Sequence, residues 1–198
     1  MSISAKLVKE LRDKTGAGMM DCKKALTETN GDLQKAVDYL RKKGMQSASS
    51  KFGRKASNGL IASYIHLDGK VGVLLEINCE TDFVAKTPEF NELAKNITLQ
   101  VAAANPKYVK REDVPEEIIN KEKEVYFGQV ENLNKPQKVL DNIVEGKLNK
   151  YFKEICLLEQ EYIRDSEKTV NQLVLETIAK LKENIIVRRF IRYQLGEE

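Results

Sequence analysis

The sequence is poor in the features on which membrane proteins, disulfide scaffolds and most enzymes rely. No apolar run approaches the roughly 20 residues that a bilayer-spanning helix needs. Charge of one sign is scarcely in excess: 33 Lys and Arg against 30 Asp and Glu leave +3, too weak a balance to argue for a nucleic-acid partner. The single histidine, His66, leaves no Cys/His spacing that matches a zinc site. Any Ser-His-Asp or Cys-His device would have to use this one residue of a predicted strand, and the plainer reading is a strand histidine facing solvent or a partner. The three cysteines, Cys22, Cys79 and Cys156, are far apart and odd in number, which suits a reducing compartment better than a disulfide framework. There is no phosphate-cradling Walker sequence and no dinucleotide fingerprint; Gly16-Ala17-Gly18 is too short and lies between predicted helices. Carboxylates are abundant, but none stands out as a pair placed for acid–base work. The chain offers surfaces rather than a reaction centre, so we expect no enzyme, no cofactor and no metal. The opening Met1-Ser2-Ile3-Ser4-Ala5-Lys6 lacks the apolar stretch of a signal peptide and the Arg/Ser-rich, acid-poor character of a transit peptide, and the expectation is a protein that stays where it is made.

What is present suffices for a folded body. The 198 residues, 41% hydrophobic, allow one domain of usual size plus a small module, and 32% charged residues suit long solvent-facing helices. The first stretch reads as three short helices. Leu7, Val8 and Leu11 form an apolar stripe that Gly16 can stop; a second helix begins near Met19 and carries Cys22, Ala25 and Leu26. Asn30-Gly31 is a turn signal, Asp32 a cap, and the third helix places Leu33, Ala36, Val37 and Leu40 inward before stopping near Gly44. Residues 41–57 are rich in Ser, Gly and basic side chains, with no acid between Asp38 and Asp68. That stretch reads as a solvated flexible linker, or as a contact for an acidic partner or RNA; the near absence of interleaved aromatics favours the linker.

Residues 60–67 and Val71–Cys79 read as a β-hairpin turned by Asp68-Gly69, with Val71, Val73, Leu75, Ile77 and Cys79 on one face. Thr87 as cap and Pro88 at the first helical position open a helix carrying Phe90, Leu93, Ile97, Val101 and Ala104, which Asn105-Pro106 ends. Residues 115–133 and 136–158, joined by Asn134-Lys135, read as an antiparallel helical hairpin spanning 115–158. It is either a projecting arm or a solvated structural element, and Gly128 and Gly146 each weaken it slightly. Thr169 caps a last helix that Asn184 closes; the final strand, 185–195, aligns Ile185, Val187, Ile191, Tyr193 and Leu195 on one face, interrupted by Arg189, with Arg188 and Arg192 opposite. Strands and helices together predict an α+β body.

Two surface features stand out. Thr81-Asp82-Phe83-Val84 sets an acid beside a large aromatic at a strand exit. Phe83 is either a protruding wedge or a core anchor for its loop, with Asp82 bonding its own backbone. Met19 and Met20, adjacent on a helix, cannot both face inward, so an exposed and adaptable methionine contact is expected.

The stretch Thr15-Gly16-Ala17-Gly18-Met19-Met20-Asp21-Cys22-Lys23-Lys24-Ala25-Leu26 resembles the N-terminal signature of the elongation factor Ts family, and Asn78-Cys79-Glu80-Thr81-Asp82-Phe83-Val84-Ala85 resembles its second signature. Lys147-Leu148 with Lys150-Tyr151, and Glu183-Asn184-Ile185 followed by Arg188-Arg189-Phe190, also look like that family, so the resemblance runs in order along essentially the whole chain. It implies a ubiquitin-associated-like three-helix module over 1–44, the basic flexible linker over 45–57, and an α+β core over 58–198: an antiparallel sheet packed by helices, with the hairpin 115–158. It implies guanine-nucleotide exchange on elongation factor Tu, bound in its GDP and nucleotide-free forms. Thr81, Asp82, Phe83 and Val84 would dislocate the partner's Mg²⁺, and Met19 and Met20 would be contacts of the N-terminal module. With one copy of the core, the chain resembles the short members, which dimerise through the sheet. Ile191 stands where some of these place a cysteine, so the dimer is expected to be non-covalent. The resemblance needs no membrane and no direct nucleic-acid binding, and fits a bacterial cytoplasm or the stroma or matrix of an organelle of bacterial descent, such as a plastid. Two other readings are an adaptor built on the three-helix module, which leaves residues 81–84 unexplained, and an RNA-binding protein using the basic linker, which predicts steep salt dependence.

Overall fold

The structure is a computed structural model that describes residues 3–66, 68–133 and 135–197. Leu67, assigned above to the first strand, and Asn134, assigned to the helix–helix connection, lie outside the described residues, as do Met1, Ser2 and Glu198. In chain order the elements are α1 (Ala5–Thr15), α2 (Met19–Glu28), α3 (Leu33–Ser49), β1 (Asn58–His66), β2 (Val71–Cys79), α4 (Asp82–Ala85), α5 (Pro88–Ala104), α6 (Glu116–Val130), α7 (Gln137–Ile155), β3 (Glu161–Tyr162), β4 (Asp165–Thr169), α8 (Val170–Leu181) and β5 (Ile185–Gln194). The architecture is α+β. The chain forms two compact units, each gathered from separate stretches: Met1–Gly59 with Asn78–Phe90 and Val174–Ile186, and Leu60–Ile77 with Asn91–Leu173 and Val187–Glu198.

In the first unit, α1 begins where the Ser4 hydroxyl accepts from the Leu7 N–H at 3.2 Å and ends at Gly16 in the left-handed region, φ 65°. Glycine pays no Cβ penalty there. Asp32 caps α3, its carboxylate accepting from the Lys35 N–H at 3.0 Å. The three helices close around Val8, Leu11, Cys22, Ala25, Leu26 and Ala36. The third helix does not stop near Gly44 as the sequence suggests; it runs to Ser49, so the start of the 45–57 stretch is helical. The reason is tertiary. A Cβ on Gly44 would lie 3.2 Å from the Cβ of Ala179, so this glycine serves close approach to α8 rather than termination.

In the second unit, β2 buries Val71, Val73, Leu75 and Ile77, and the strand order among the described residues is β1-β2-β5. Asp68 and Gly69 both have positive φ, 52° and 93°, as a tight hairpin turn requires. Arg192 donates to the Ala102 carbonyl at 3.3 Å, tying β5 to α5. Within α5, Leu93, Ile97 and Val101 are buried as expected, whereas Ala104 is exposed. The helical hairpin forms, though α6 ends at Val130 and α7 at Ile155 rather than at 133 and 158; it buries Val130, Leu140 and Val144 toward its tip, and Val114, Leu148, Phe152 and Cys156 toward its base. At that base the Arg111 guanidinium grips both carboxylate oxygens of Glu159 and lies over the Phe152 ring, 4.6 Å from its centroid. β3 and β4 form a small antiparallel ladder that the polar sequence gave no reason to expect.

The end of the chain departs from the reading in two places. Lys182, at φ 63°, makes the left-handed turn after α8, one position after Leu181, and Asn184 is instead buried beyond it. Along β5, Ile185 and Val187 are buried, but Ile191, Tyr193 and Leu195 are exposed, so the predicted face is inward only at its start. These exposed residues belong to an open apolar sheet face. A Cβ on Gly72 would meet Ile65 at 3.3 Å, so Ile65 shares the face of Gly72 and, by alternation, of Leu74 and Glu76. The Glu76 carboxylate meets Arg189 at 2.7 Å, which adds Ile191 and Tyr193 to that face, and Ile61 joins through β1.

Candidate functional site

The Thr81–Val84 stretch leaves β2 and folds into α4, a single turn that buries none of its residues. Thr81 has extended backbone, φ −126° and ψ 156°, and its Oγ1 accepts from the Val84 N–H at 3.4 Å, so the residue acts as the cap. Phe83 is 79% exposed. Of the two readings of this side chain, the core anchor is excluded: Phe83 stands out from the surface. The Asp82 carboxylate accepts from the Lys86 ammonium at 2.8 Å across one helical turn, with its own backbone N–H and that of Phe83 as lesser partners. That bond, with the lysine's charge, holds the Asp82 carboxyl below the usual carboxylate range. Val84 is half-buried.

A one-turn helix cannot hold itself together, and polar clamps do so here. The Glu183 carboxylate accepts from the Thr81 N–H at 3.0 Å and from the Thr81 hydroxyl at 2.6 Å. Glu80 reciprocates: its Oε1 accepts from the Asn184 N–H at 2.6 Å. The buried Asn184 then donates through its side chain to the Arg54 carbonyl at 2.8 Å. Beneath the turn the Cys79 thiol donates to the Thr81 carbonyl at 3.1 Å. Burial, then the neighbouring Glu183 charge, push that thiol up to about 11, so it serves as a buried donor and not as a nucleophile. Nothing in the sequence flags Glu183 as a partner of Thr81, because the two lie 102 positions apart.

Met19 and Met20 open α2, and both are exposed, 59% and 75%, one more than the adjacency argument requires. Asp21 beside them bonds the Lys43 ammonium at 2.8 Å, which fixes α2 to α3 and holds the Asp21 carboxyl below its ordinary range. The two motifs fall in the same compact unit, with the end of α8 between them. Lys180 lies 3.5 Å from where a Gly16 Cβ would stand and pairs with Glu89 at 3.3 Å, while Arg41 pairs with Glu176 at 3.8 Å. The same unit exposes Phe52, a large apolar side chain that the sequence reading passed over although it is the aromatic of the basic stretch.

Other candidates gain no chemistry. His66 is exposed at the end of β1, its ring stacked on Tyr64 and hydrogen-bonded to the tyrosine hydroxyl at 2.7 Å. All three cysteines are free and buried. Among the described residues, no group of three or more His, Cys, Asp or Glu side chains is placed to hold a metal ion, and no helix is long and apolar enough to cross a membrane. The arrangement offers apolar side chains on a firmly held polar frame, which is the chemistry of a contact surface.

Known proteins resemble this chain over nearly its whole length. The family model described as Elongation factor TS matches residues 5–197. The chain is 61% identical over 195 residues to the elongation factor Ts of Thermoanaerobacter sp. (strain X514), covering 98% of this chain and 96% of the relative. It is 60% identical over 195 residues to that of Caldanaerobacter subterraneus subsp. tengcongensis, covering 98% of each. To that of Thermodesulfovibrio yellowstonii it is 56% identical over 197 residues, covering 100% of this chain and 98% of the relative.

Proposed function

The chain belongs to the elongation factor Ts family of translation elongation factors, and from that premise we propose that it binds GDP-loaded elongation factor Tu, disturbs the Mg²⁺ and phosphate end of the partner's nucleotide site, and so speeds GDP release for GTP to enter. The observation that carries this reading is Phe83, 79% exposed on a turn held by Glu183 at Thr81 and by the Thr87 hydroxyl at the Val84 carbonyl. A large aromatic held out in water has a cost that insertion into a partner recovers. In this reading Phe83 wedges into the G domain of elongation factor Tu and shifts the groups that hold Mg²⁺, with Thr81, Asp82 and Val84 shaping the wedge. The 1–44 module docks through Met19 and Met20.

The mechanism is linkage rather than bond chemistry. A factor that prefers the nucleotide-free partner weakens nucleotide binding by the same factor by which nucleotide weakens its own. Burying one Phe is worth roughly 1.5–3 kcal/mol and each tenfold in release needs about 1.4 kcal/mol, so Phe83 supplies a substantial share and the methionines add to it. The test is release of fluorescent GDP from preloaded elongation factor Tu. A substoichiometric amount of this protein should accelerate it, and Phe83→Ala should slow that acceleration by about ten- to a hundredfold. Absence of acceleration by the unaltered protein removes the exchange reading; full activity in Phe83→Ala removes the wedge.

The open sheet face supports a second element of the proposal, a non-covalent homodimer. Ile61, Ile65, Leu74, Ile191 and Tyr193 present an apolar surface that also carries Glu76 and Arg189, charges of both signs. A two-fold pairing of such a face is self-complementary. With the cysteines buried and Ile191 on this face, no intersubunit disulfide is available there. Light scattering should give twice the chain mass at micromolar concentration, and Ile65→Asp with Tyr193→Asp should give the monomer; a monomeric unaltered protein defeats the dimer. The bacterial relatives favour the cytoplasm as the place of work over an organelle of bacterial descent.

A further inference from the structure

We infer that Glu183 is the positioning residue of the exchange wedge: it sets the direction in which Phe83 points, without itself meeting the partner. The inference rests on the exchange reading above. Its ground is the crossed arrangement at the strand exit, where two neighbouring residues of one segment bind two of the other. Glu183 takes both the N–H and the hydroxyl proton of Thr81, at 3.0 and 2.6 Å, and Glu80 takes the N–H of Asn184 at 2.6 Å. With both its donors committed, Thr81 can offer its oxygens only inward. Its carbonyl accepts from the Cys79 thiol at 3.1 Å and from the Ala85 N–H at 3.3 Å, and its Oγ1 accepts from the Val84 N–H at 3.4 Å. Each polar group of the capping residue is therefore fixed, and two of the bonds end on an ionised acceptor, the stronger kind.

The turn that follows is held at its far end by the Thr87 hydroxyl, which donates to the Val84 carbonyl at 2.7 Å, so its entry at Thr81 is the end that Glu183 controls. It spans Asp82–Ala85 and fully buries none of its residues, with Val84 and Ala85 half-buried, so apolar packing orients it only in part. Its Asp82–Lys86 pair lies within the turn and exposed, and such pairs are weak. Loss of the Glu183 carboxylate frees both donors of Thr81 to turn to water, and the turn then samples other directions. Phe83 is presented correctly for only a fraction of the time, and the apparent affinity for the partner falls by that fraction. The other half of the arrangement stays in place, because Asn184 keeps its bonds to Glu80 and to the Arg54 carbonyl.

A double-mutant cycle on exchange with the full chain tests this. Glu183→Ala should reduce GDP release at subsaturating factor by about tenfold, with the maximal rate at saturation nearly retained, since the wedge still works once seated. In the Phe83→Ala background the same substitution should add less than about twofold, because nothing remains for it to orient. Glu183→Gln, which keeps an acceptor of the same length, should fall between, and Thr81→Val, which removes the hydroxyl donor, should slow exchange in the same way. Should Glu183→Ala not fold, Glu183→Gln and Thr81→Val carry the same cycle. An equal loss in both backgrounds, accompanied by a lowered melting temperature, assigns Glu183 to general stability and overturns the inference. So does unchanged exchange in Glu183→Ala when Phe83→Ala is slow. Failure of the unaltered protein to release GDP is a different result: it overturns the exchange reading itself.

Discussion

The turn α4 has 4 residues and buries none of them, whereas α7 has 19 and buries Leu140, Val144, Leu148 and Phe152 against its neighbour. Each region holds a phenylalanine with a distinct environment. Phe83 is in water and the polar groups around it are bound to one another; Phe152 is packed in a cluster beneath a guanidinium. The contrast separates two ways of giving a side chain a fixed position. In the hairpin the apolar contacts themselves do the fixing, so position and stability are the same quantity. At α4 the hydrogen bonds that Thr81 gives to Glu183 and takes from Cys79 do it, which leaves the apolar surface free for something outside the chain.

This difference yields opposite outcomes for the same substitution. Phe152→Ala should show the largest effect on folding, a loss of about 3–5 kcal/mol from the cavity and lost transfer energy, measured by urea denaturation. GDP release per folded molecule should remain unchanged. Phe83→Ala should do the reverse: a midpoint within about 0.5 kcal/mol of the parent, as for exposed positions, with exchange strongly reduced. A Phe83→Ala protein that unfolds early would mean that the turn is held by its phenylalanine after all. A folded Phe152→Ala protein that exchanges poorly would give the hairpin a part in binding.

The same contrast explains what was legible in the sequence. The Val71–Cys79 alternation, the Gly16 and Asp32 boundaries, the Thr87-Pro88 start and the hairpin seam all follow from local periodicity and caps, and the structure has them. The failures are tertiary. Gly44 looks like a helix stop until Ala179 is seen packed against it. Ile191, Tyr193 and Leu195 continue an inward pattern that the fold leaves uncovered. The motif 81–84 could be singled out by its residue types, and both Met19 and Met20 by their adjacency, but exposure of Phe83 could not. It depends on Glu183, whose own neighbourhood in sequence says nothing of Thr81.

The smallest effect sharpens the comparison from the hairpin side. Gly128 in α6 and Gly146 in α7 lie in open space, where a Cβ would meet no atom within 4 Å, and neither has positive φ. Nothing in the packing asks for glycine at either place, so each costs helix propensity and unfolded-state entropy without a local return. Gly128→Ala and Gly146→Ala should each stabilise by about 0.4–1 kcal/mol, and together nearly additively because they share no packing partner in the structure. Thermal denaturation measures the gain, and the exchange assay measures its consequence. If exchange is unchanged in the stiffened double variant, the hairpin contributes stability and spacing while α4 contributes contact. If exchange falls as stability rises, the two glycines keep α6 and α7 pliable for a partner, and the hairpin joins α4 on the functional side.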